Sequence, residues 1–292
     1  MGRRRELNGL RVLITGASQG IGRALAIAAW QRGMRVMAAA RSQQLLDELQ
    51  AEVMAKSSHT DAVLEIVVAD VSTAEGRQRM VDAAQQKFGG LDVLVNNAGI
   101  GATGHFVDTD PQVLRQIMET NFFGTTETTR LFLPMLRAGN SPAIVMISSV
   151  AGRQAVPARS LYSASKYAVQ GFSEALRAEL DKDGIDVVIV NPGLTQTNFS
   201  KNMLEQKARM KVDHMRGMTS EEVALRTLDA LAKGKHEITL TGQAKLMIAI
   251  GKFLPGLFHK LAKKKVRELF AEEIADREKR LAAERANASR TS

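Results

Sequence analysis

The sequence predicts an α/β protein: a doubly wound parallel sheet of about seven strands with helices on both faces, followed by an amphipathic, helical C-terminal extension. Three observations carry that prediction. Apolar runs of strand length alternate with longer segments of helical periodicity from Leu10 to about Leu240. The first run ends in a glycine-rich turn that opens a helix. Later runs end in small or polar residues, as strand ends of a parallel sheet do.

Taken in order, Leu10–Thr15 (LRVLIT) is a buried strand, Gly16-Ala17-Ser18-Gln19-Gly20-Ile21-Gly22 a turn, and the segment through Trp30 a helix. Strand, glycine turn and helix form the context of a dinucleotide-binding fingerprint. Glycines let the backbone approach a pyrophosphate, and the helix N-terminus offers it free N–H groups and a positive dipole end. The spacing is Gly-x3-Gly-x-Gly rather than the commoner Gly-x-Gly-x2-Gly. Arg35–Arg41 is the second strand and Gln43–Lys56 a helix. An NAD-binding unit places an acid near the end of this strand for the ribose 2′-OH; here Arg41 and Ser42 stand at that place. A guanidinium can pair with a 2′-phosphate, which favours NADP(H), with NAD(H) the second candidate. The bland alternative is that Arg41 is a solvated strand-end charge.

Val63–Ala69 is a third strand ending in Asp70-Val71, and a helix runs from about Thr73 to Phe88. Leu91–Val95 is a fourth, with Asn96-Asn97-Ala98-Gly99 at its carboxyl end. Gln112–Leu136 is one long helical region carrying Asn121 near its middle. An amide is unfavourable inside a helix, so Asn121 is expected to have a structural or a catalytic task. Ala143–Ile147 is a fifth strand ending in Ser148-Ser149, and Val187–Val190 a sixth ending in Asn191-Pro192-Gly193. Between them a helix runs from Tyr162 to about Leu180. Tyr162 and Lys166, four apart, share one face of it. An ammonium beside a phenol is expected to lower the phenol's pKa toward neutrality, giving an acid–base group.

Together these residues resemble the short-chain dehydrogenase/reductase family, from about Leu7 to Leu240. The resemblance rests on Thr15-Gly16-x3-Gly20-x-Gly22, Asp70, Asn96-Asn97-Ala98-Gly99, Asn121, Ser149, Tyr162-x3-Lys166, and Pro192-Gly193 with Thr197 beyond. It implies a Rossmann-type catalytic domain over residues 1–244 and a separate extension over 245–292. It further implies a catalytic set of Asn121, Ser149, Tyr162 and Lys166. Tyr162 would give its proton to a substrate carbonyl, and Ser149, thirteen positions earlier, would hold that oxygen. Lys166 would bond the nicotinamide ribose, and Asn121 would anchor a proton-relaying water. Cofactor contacts are implied for Gly16, Ser18, Gln19, Gly20, Ile21, Gly22, Arg41, Ser42, Asp70, Val71, Asn97, Ala98, Gly99, Tyr162, Lys166, Pro192, Gly193, Thr195 and Thr197. Asp70 would face the adenine, and Ile21, Val190 and Thr197 the nicotinamide. One departure is Gln19, where NADP-preferring members often carry Arg or Lys. The implied activity is carbonyl–alcohol interconversion on a lipophilic small molecule by a homodimer or homotetramer. The alternative is a dinucleotide sensor or scaffold with the same fold and little turnover.

Two regions are expected to carry specificity: Ile100–Phe106, and Phe199–Met218 as a mobile lid. Their histidines, His105 and His214, read as ordinary loop residues rather than substrate contacts, and no metal-ligand set is present. The absence of cysteine removes thiolate nucleophiles and suits a reducing, cytoplasmic setting. Met1–Glu6 lacks the apolar segment of a secretory signal and the Ser or Thr at position 6 of a myristoylation site. The net charge of +9 is uneven: residues 245–292 hold 12 Lys or Arg against 6 Asp or Glu. Leu246–Phe258 is apolar apart from Lys252, is broken by Pro255-Gly256, and precedes Lys260 and Lys263-Lys264-Lys265. It is too short to span a bilayer. It suits a peripheral membrane contact over 246–265, or a flap on the protein's own cleft or a partner subunit. Val266–Leu281 is expected to be a charged helix, with fraying beyond Ala283. Few aromatics and late Lys/Glu alternation argue against nucleic acid.

Overall fold

The computed structural model describes residues 2–56, 63–207 and 217–291. In chain order the elements are β1 (Arg11–Thr15), α1 (Gly20–Gln31), β2 (Arg35–Ala40), α2 (Gln43–Lys56), β3 (Leu64–Val68), α3 (Ala74–Phe88) and β4 (Val93–Asn96). Then come α4 (Pro111–Met118), α5 (Gly124–Arg137), β5 (Ala143–Ile147), α6 (Ser160–Leu180), β6 (Asp186–Asn191), β7 (Thr195–Gln196), β8 (Met218–Thr219), α7 (Ser220–Ala232) and β9 (Glu237–Thr239). Three helices close the chain: α8 (Gly242–Phe253), α9 (Pro255–Leu269) and α10 (Ala271–Thr291). Seven strands form one sheet in the order β3-β2-β1-β4-β5-β6-β9, every pair parallel. This is the doubly wound sheet that the alternation of runs predicts.

The strands are apolar on both faces because helices cover both. Side chains alternate across each strand. Val12 and Ile14 of β1 pack with Leu25 and Trp30 of α1, Leu46 and Leu49 of α2, and Leu228 and Leu231 of α7. Leu13 lies on the other face with Met80 and Phe88 of α3, Phe132 and Leu136 of α5, and Leu176 of α6. Val93 and Val95 against Leu94, and Val145 against Ile144 and Met146, repeat the division. Burying each such side chain contributes about 1.5–3 kcal/mol. A third, small cluster of Ala102, Val113 and Ile117 seats α4 under the loop after β4.

The amino-terminal edge of the sheet is closed by a paired charge. Arg11 grips the buried carboxylate of Asp92 through Nε at 2.9 Å and Nη2 at 2.7 Å. The backbone N–H groups of Arg11 and Asn140 donate to it as well. Burial alone would push the Asp92 carboxyl up, but these four donors hold it below the usual carboxylate range. Charge is thus spent on stability at this edge, leaving the carboxyl edge free for chemistry.

Three expectations change. The long helix over Gln112–Leu136 is interrupted by a π-helical turn at Glu119–Phe123, and Asn121 sits inside it. A wide turn of this kind re-aims a side chain without ending the helix. The charged helix over Val266–Leu281 is broken at Phe270, which leaves the helical region and is buried. The segment beyond Ala283, expected to fray, continues as helix to Thr291; its Ala, Arg and Glu content favours that state.

Candidate active site

The loops at the carboxyl ends of β1 to β6 line one cleft of about 1220 Å³. β1 pairs with β2 on one side and β4 on the other, and the chains leaving β1 and β4 part between them. The Thr15 hydroxyl accepts from the N–H groups of Asn97 and Ala98, each at 3.0 Å. The Asn97 amide donates to the carbonyls of Thr15 at 2.8 Å and Gly16 at 3.2 Å. Gly16 has φ +66°, and a Cβ there would come to 2.8 Å from the Ala98 Cα. At Gly22 a Cβ would collide with the Gly16 carbonyl and the Asn97 amide. Both glycines are therefore required by packing as well as by any ligand.

The helix that follows is left open at its N-terminus. Thr73, Asp110, Thr219 and Thr241 cap α3, α4, α7 and α8 with their side chains. Gln19 makes no such bond to α1, and no acid stands in its first turn. Its unpaired N–H groups suit an anion. At the end of β2, Arg41 is 70% exposed and only 3.9 Å from Asp70 Oδ2, a loose pair. Ser42 Oγ accepts from the N–H of Leu45 at 3.4 Å, at the start of α2. Asp70 uses Oδ1 on the N–H and hydroxyl of Ser72. A dinucleotide fits this lining: phosphate at the glycine turn, a 2′-substituent near Arg41 and Ser42, adenine beside Asp70 and Val71.

Past that half of the cleft lie the polar residues of β5 and α6. Ser149 Oγ accepts from the N–H of Ala151 at 3.1 Å and shares the cleft with the Tyr162 phenol, whose charged form it favours. Ser148 instead turns its hydroxyl to the Lys166 carbonyl at 3.4 Å, so of the two serines it is Ser149 that meets the tyrosine. Lys166, 5% exposed, donates from Nζ to the Ile147 carbonyl at 2.9 Å and lies 5.8 Å from the centre of the Tyr162 ring. The open side of Gly99 faces Lys166 Nζ, 3.6 Å from where a Cβ would be. One hydrogen bond for an ammonium with three protons leaves donors for a ribose.

The electrostatics differ from the expectation of a depressed tyrosine. Burial raises the Tyr162 pKa above its ordinary value; the Ser149 hydrogen bond and the charge of Arg159 pull the other way without overcoming it. Burial also lowers Lys166 to about 8. Proximity in sequence does not suffice, because the same dry environment that would strengthen attraction between the pair disfavours both charged forms.

Every residue expected to touch a cofactor except Val190 lines the cleft, Tyr162 and Lys166 among them, as does Ser149. Two other expectations place residues elsewhere. Asn121 is 1% exposed and lies beneath the cleft. Its Oδ1 accepts from the Ile100 N–H at 2.8 Å, and its Nδ2 donates to the Ile100 carbonyl at 2.9 Å and to Ser165 Oγ at 3.0 Å. The side chain clamps the loop after β4 to α6, with both Nδ2 protons engaged and one lone pair of Oδ1 left over. Val190 is fully buried in the sheet behind the cleft.

Sequence reasoning missed Arg159, which lines the cleft one turn before Tyr162. It also left undecided the contribution of the extension: Met247 of α8 and Lys265 and Leu269 of α9 line the same cleft. Phe270 is 2% exposed, with its ring 4.8 Å from that of His105, and His105 Nε2 lies 2.8 Å from Glu273 Oε2. His105 thus anchors the extension. Of the expected mobile lid, residues 208–216, with His214, lie outside the described residues. The described part is tied down: Leu204 and Lys207 donate to the carbonyls of Gly101 and Thr103, and Thr103 donates to that of Glu205.

The model for short chain dehydrogenases matches residues 11–208. The chain belongs to the short-chain dehydrogenase/reductase family. Dehydrogenase/reductase SDR family member 7B of Bos taurus is 34% identical over 267 residues, covering 88% of this chain and 81% of that protein. A short-chain dehydrogenase/reductase from Burkholderia phymatum, solved in complex with NAD, is 25% identical over 87% of this chain and 96% of its own, with a TM-score of 0.78. A short-chain dehydrogenase from Burkholderia cenocepacia, solved in complex with NADP, is 27% identical over 88% and 99%, with a TM-score of 0.72.

The depressed Lys166 pKa makes a prediction for this family member without cofactor. Below pH 8 the fold carries the full cost of burying the ammonium. Between about 8 and about 10.4, where the unfolded chain still holds that proton, stability rises with pH. Urea unfolding of wild type and Lys166→Met should show a wild-type-minus-variant difference that climbs across this window. A flat difference would mean that the ammonium is solvated in the fold.

Proposed function

We propose that this chain is an NADP(H)-dependent oxidoreductase that interconverts a carbonyl and an alcohol on a lipophilic small molecule, a ketone, steroid-like compound or acyl derivative. The observation that carries this reading is that Ser149, Tyr162 and Lys166 line the same cleft as the uncapped N-terminus of α1. When bound, the cofactor supplies a hydride to the carbonyl carbon, or takes one from the alcohol carbon. Tyr162 holds the proton on its phenolic oxygen and gives it to the carbonyl oxygen. The raised pKa keeps it protonated, which suits donation. Ser149 Oγ holds the same oxygen in place. Lys166 offers its remaining N–H donors to the nicotinamide ribose and, titrating near 8, passes protons to and from Tyr162. Asn121 keeps Gly99 and Ile100 at the height the ring requires. Ile21, Pro192, Gly193, Thr195 and Thr197 wall the nicotinamide side.

The preference for NADP(H) rests on Arg41 and Ser42 at the start of α2, whose first turn has no acid. A carboxylate there would repel the 2′-phosphate; an exposed guanidinium with one loose partner is free to pair with it. The 1–244 unit would be the catalytic domain and 245–292 an extension that completes its cleft. Exposed Phe123 of the π-helical turn, Leu131 of α5 and Tyr167 of α6 support a homodimer or homotetramer.

No helix among the described residues is long and apolar enough to cross a membrane. The extension nevertheless has two apolar sides. One faces the cleft; the other exposes Leu246, Phe253, Leu254, Leu257 and Leu261, with Lys252 beside Phe253. The bend at Leu254 before Pro255 keeps α8 and α9 from forming one rod. This outer side suits peripheral attachment of a cytoplasmic enzyme to an anionic leaflet, where five lysines at about 1 kcal/mol each would add to apolar burial.

Tyr162→Phe should abolish turnover and leave NADPH binding largely intact. A variant keeping more than about a tenth of wild-type kcat, a barrier change under ~1.4 kcal/mol, would remove Tyr162 as the proton donor. Arg41→Ala should weaken NADPH binding by about 1.5–3 kcal/mol and barely alter NADH; equal losses would show that Arg41 does not read the 2′-phosphate. For the membrane reading, full-length protein should co-sediment with anionic vesicles at low salt and be released by high salt. Leu257→Glu with Leu261→Glu should abolish that binding without loss of activity in solution, and unchanged sedimentation would dismiss it.

A further inference from the structure

Among the described residues, Arg159 is a cation with no paired carboxylate. Its Nε is buried and has no hydrogen-bond partner. Among the described residues none of its side-chain nitrogens bonds another group, and no carboxylate lies within ion-pair distance. The acid on the neighbouring loop, Glu205, pairs with Lys207 at 3.0 Å instead. A half-buried guanidinium whose Nε is shut off from solvent without a partner is costly to leave unmet.

Its position is built rather than incidental. Ala158, immediately before it, has φ +59°, a left-handed conformation that is strained for a residue with a Cβ. The Ala158 carbonyl is held there by the Gly104 N–H at 2.9 Å. Arg159 also contributes its carbonyl to the first turn of α6, accepting from Ser163 at 2.8 Å. The side chain therefore enters the cleft one helical turn from Tyr162, roughly 5–6 Å away between Cβ atoms. Lys265, the other cation of the substrate side, is already engaged with Glu268. Val156, Phe199, Met247 and Leu269 give that wall apolar surface, interleaved with polar Asn198, Ser200 and Gln243.

We propose that Arg159 is a subsite for a carboxylate, and that the substrate is an oxo acid: an apolar body against Phe199, Met247 and Leu269, a carbonyl at Tyr162, and an anionic group a few carbon–carbon bonds from it. This deepens the carbonyl-reductase reading and rests on it for the place of the carbonyl. The guanidinium pairs with the two carboxylate oxygens, a geometry a lysine cannot reproduce. It also favours the phenolate of Tyr162, and a bound carboxylate would remove that influence, leaving the phenol more firmly protonated for donation.

The test uses full-length protein with NADPH and matched pairs of 2-oxo-, 4-oxo- and 6-oxodecanoate and their methyl esters. The expected result is a kcat/KM for at least one acid ten or more times that of its ester. In Arg159→Met this ratio should fall to near one, and Arg159→Lys should recover only part of it. The ratio compares ligands that differ in the charge offered to Arg159. Calorimetry of the same ligands on Tyr162→Phe, with and without NADPH, supplies a readout that needs no turnover. Tenfold tighter binding of the acid that is lost in the double variant with Arg159→Met supports the subsite, even if wild type reduces none of the panel and the reductase reading fails. Equal binding and equal turnover of acids and esters in wild type, or a preference that survives Arg159→Met, overturns it.

Discussion

The cleft depends on β1 and β4 lying side by side while the chain leaves them toward opposite faces of the sheet. Separation at that point opens space but also threatens to unzip the two strand ends, since neither covers the other with a helix. The Thr15 hydroxyl and the Asn97 amide close the gap with four hydrogen bonds. Gly16 and Gly22 then lie so close to Asn97 and Ala98 that no side chain fits. The uncapped start of α1 is fixed by this contact, and its N–H groups point where the two halves of the site meet. Asn121 repeats the device one step along, fastening the loop after β4 to the helix that carries Tyr162 and Lys166. Amides do both jobs because each can donate and accept within a dry space.

That dryness governs the chemistry. Tyr162 and Lys166 are close enough to influence each other, yet burial moves the phenol up and the ammonium down. The two ordinary values, both near ten, are driven apart by shared loss of solvent, which favours the neutral form of each. Charge reaches the phenol mainly through Ser149 and Arg159. A ribose placed against Lys166 would restore hydrogen bonds to the ammonium and with them its charged form. The protein alone thus holds an acid–base pair that is biased toward neutrality and is to be completed by what binds.

Much of this was legible in the sequence, and the limits have physical causes. The sheet was visible because strands buried on both faces leave unbroken apolar runs, and the glycine turn because close approach forbids side chains. Ser149 could be preferred over Ser148 on spacing, and the structure turns only Ser149 toward Tyr162. Asn121 was singled out for being misplaced in a helix, but the π-helical turn that accommodates it leaves no mark in a 3.6-residue pattern. Phe270 looked like one more apolar position of an amphipathic helix; its removal from the helix follows from a contact with His105, 165 positions away in the chain, which no local periodicity reports. Arg159 could have been noticed. It stands three residues before Tyr162, and the positions three and four away on either side (Ala155, Val156, Tyr162, Ser163) hold no acid. A helical arginine without a partner at those spacings is ordinary on a surface and informative only once the cleft is known.

The extension joins these strands of the argument, because its two apolar sides have different tasks. The inner side contributes Met247 and Leu269 to the cleft and buries Phe270 against the loop that begins at Ile100. Removing it would expose the substrate wall, so its leucines and phenylalanines are not free to be selected for solubility alone. The outer side, with Leu254, Leu257 and Leu261 exposed beside lysines, lies on the same short helices and shares their orientation. A molecule with an apolar body and one anionic end concentrates at a bilayer surface with its charge outward. If such a molecule is the substrate, a mouth built from helices that also rest on the membrane would receive it without carrying its apolar body through water. The unpaired guanidinium at the inner end of the path would then replace the hydration that its carboxylate gives up on entering. An apolar approach and a half-buried cation are, on this view, two consequences of one requirement set by an amphiphilic substrate.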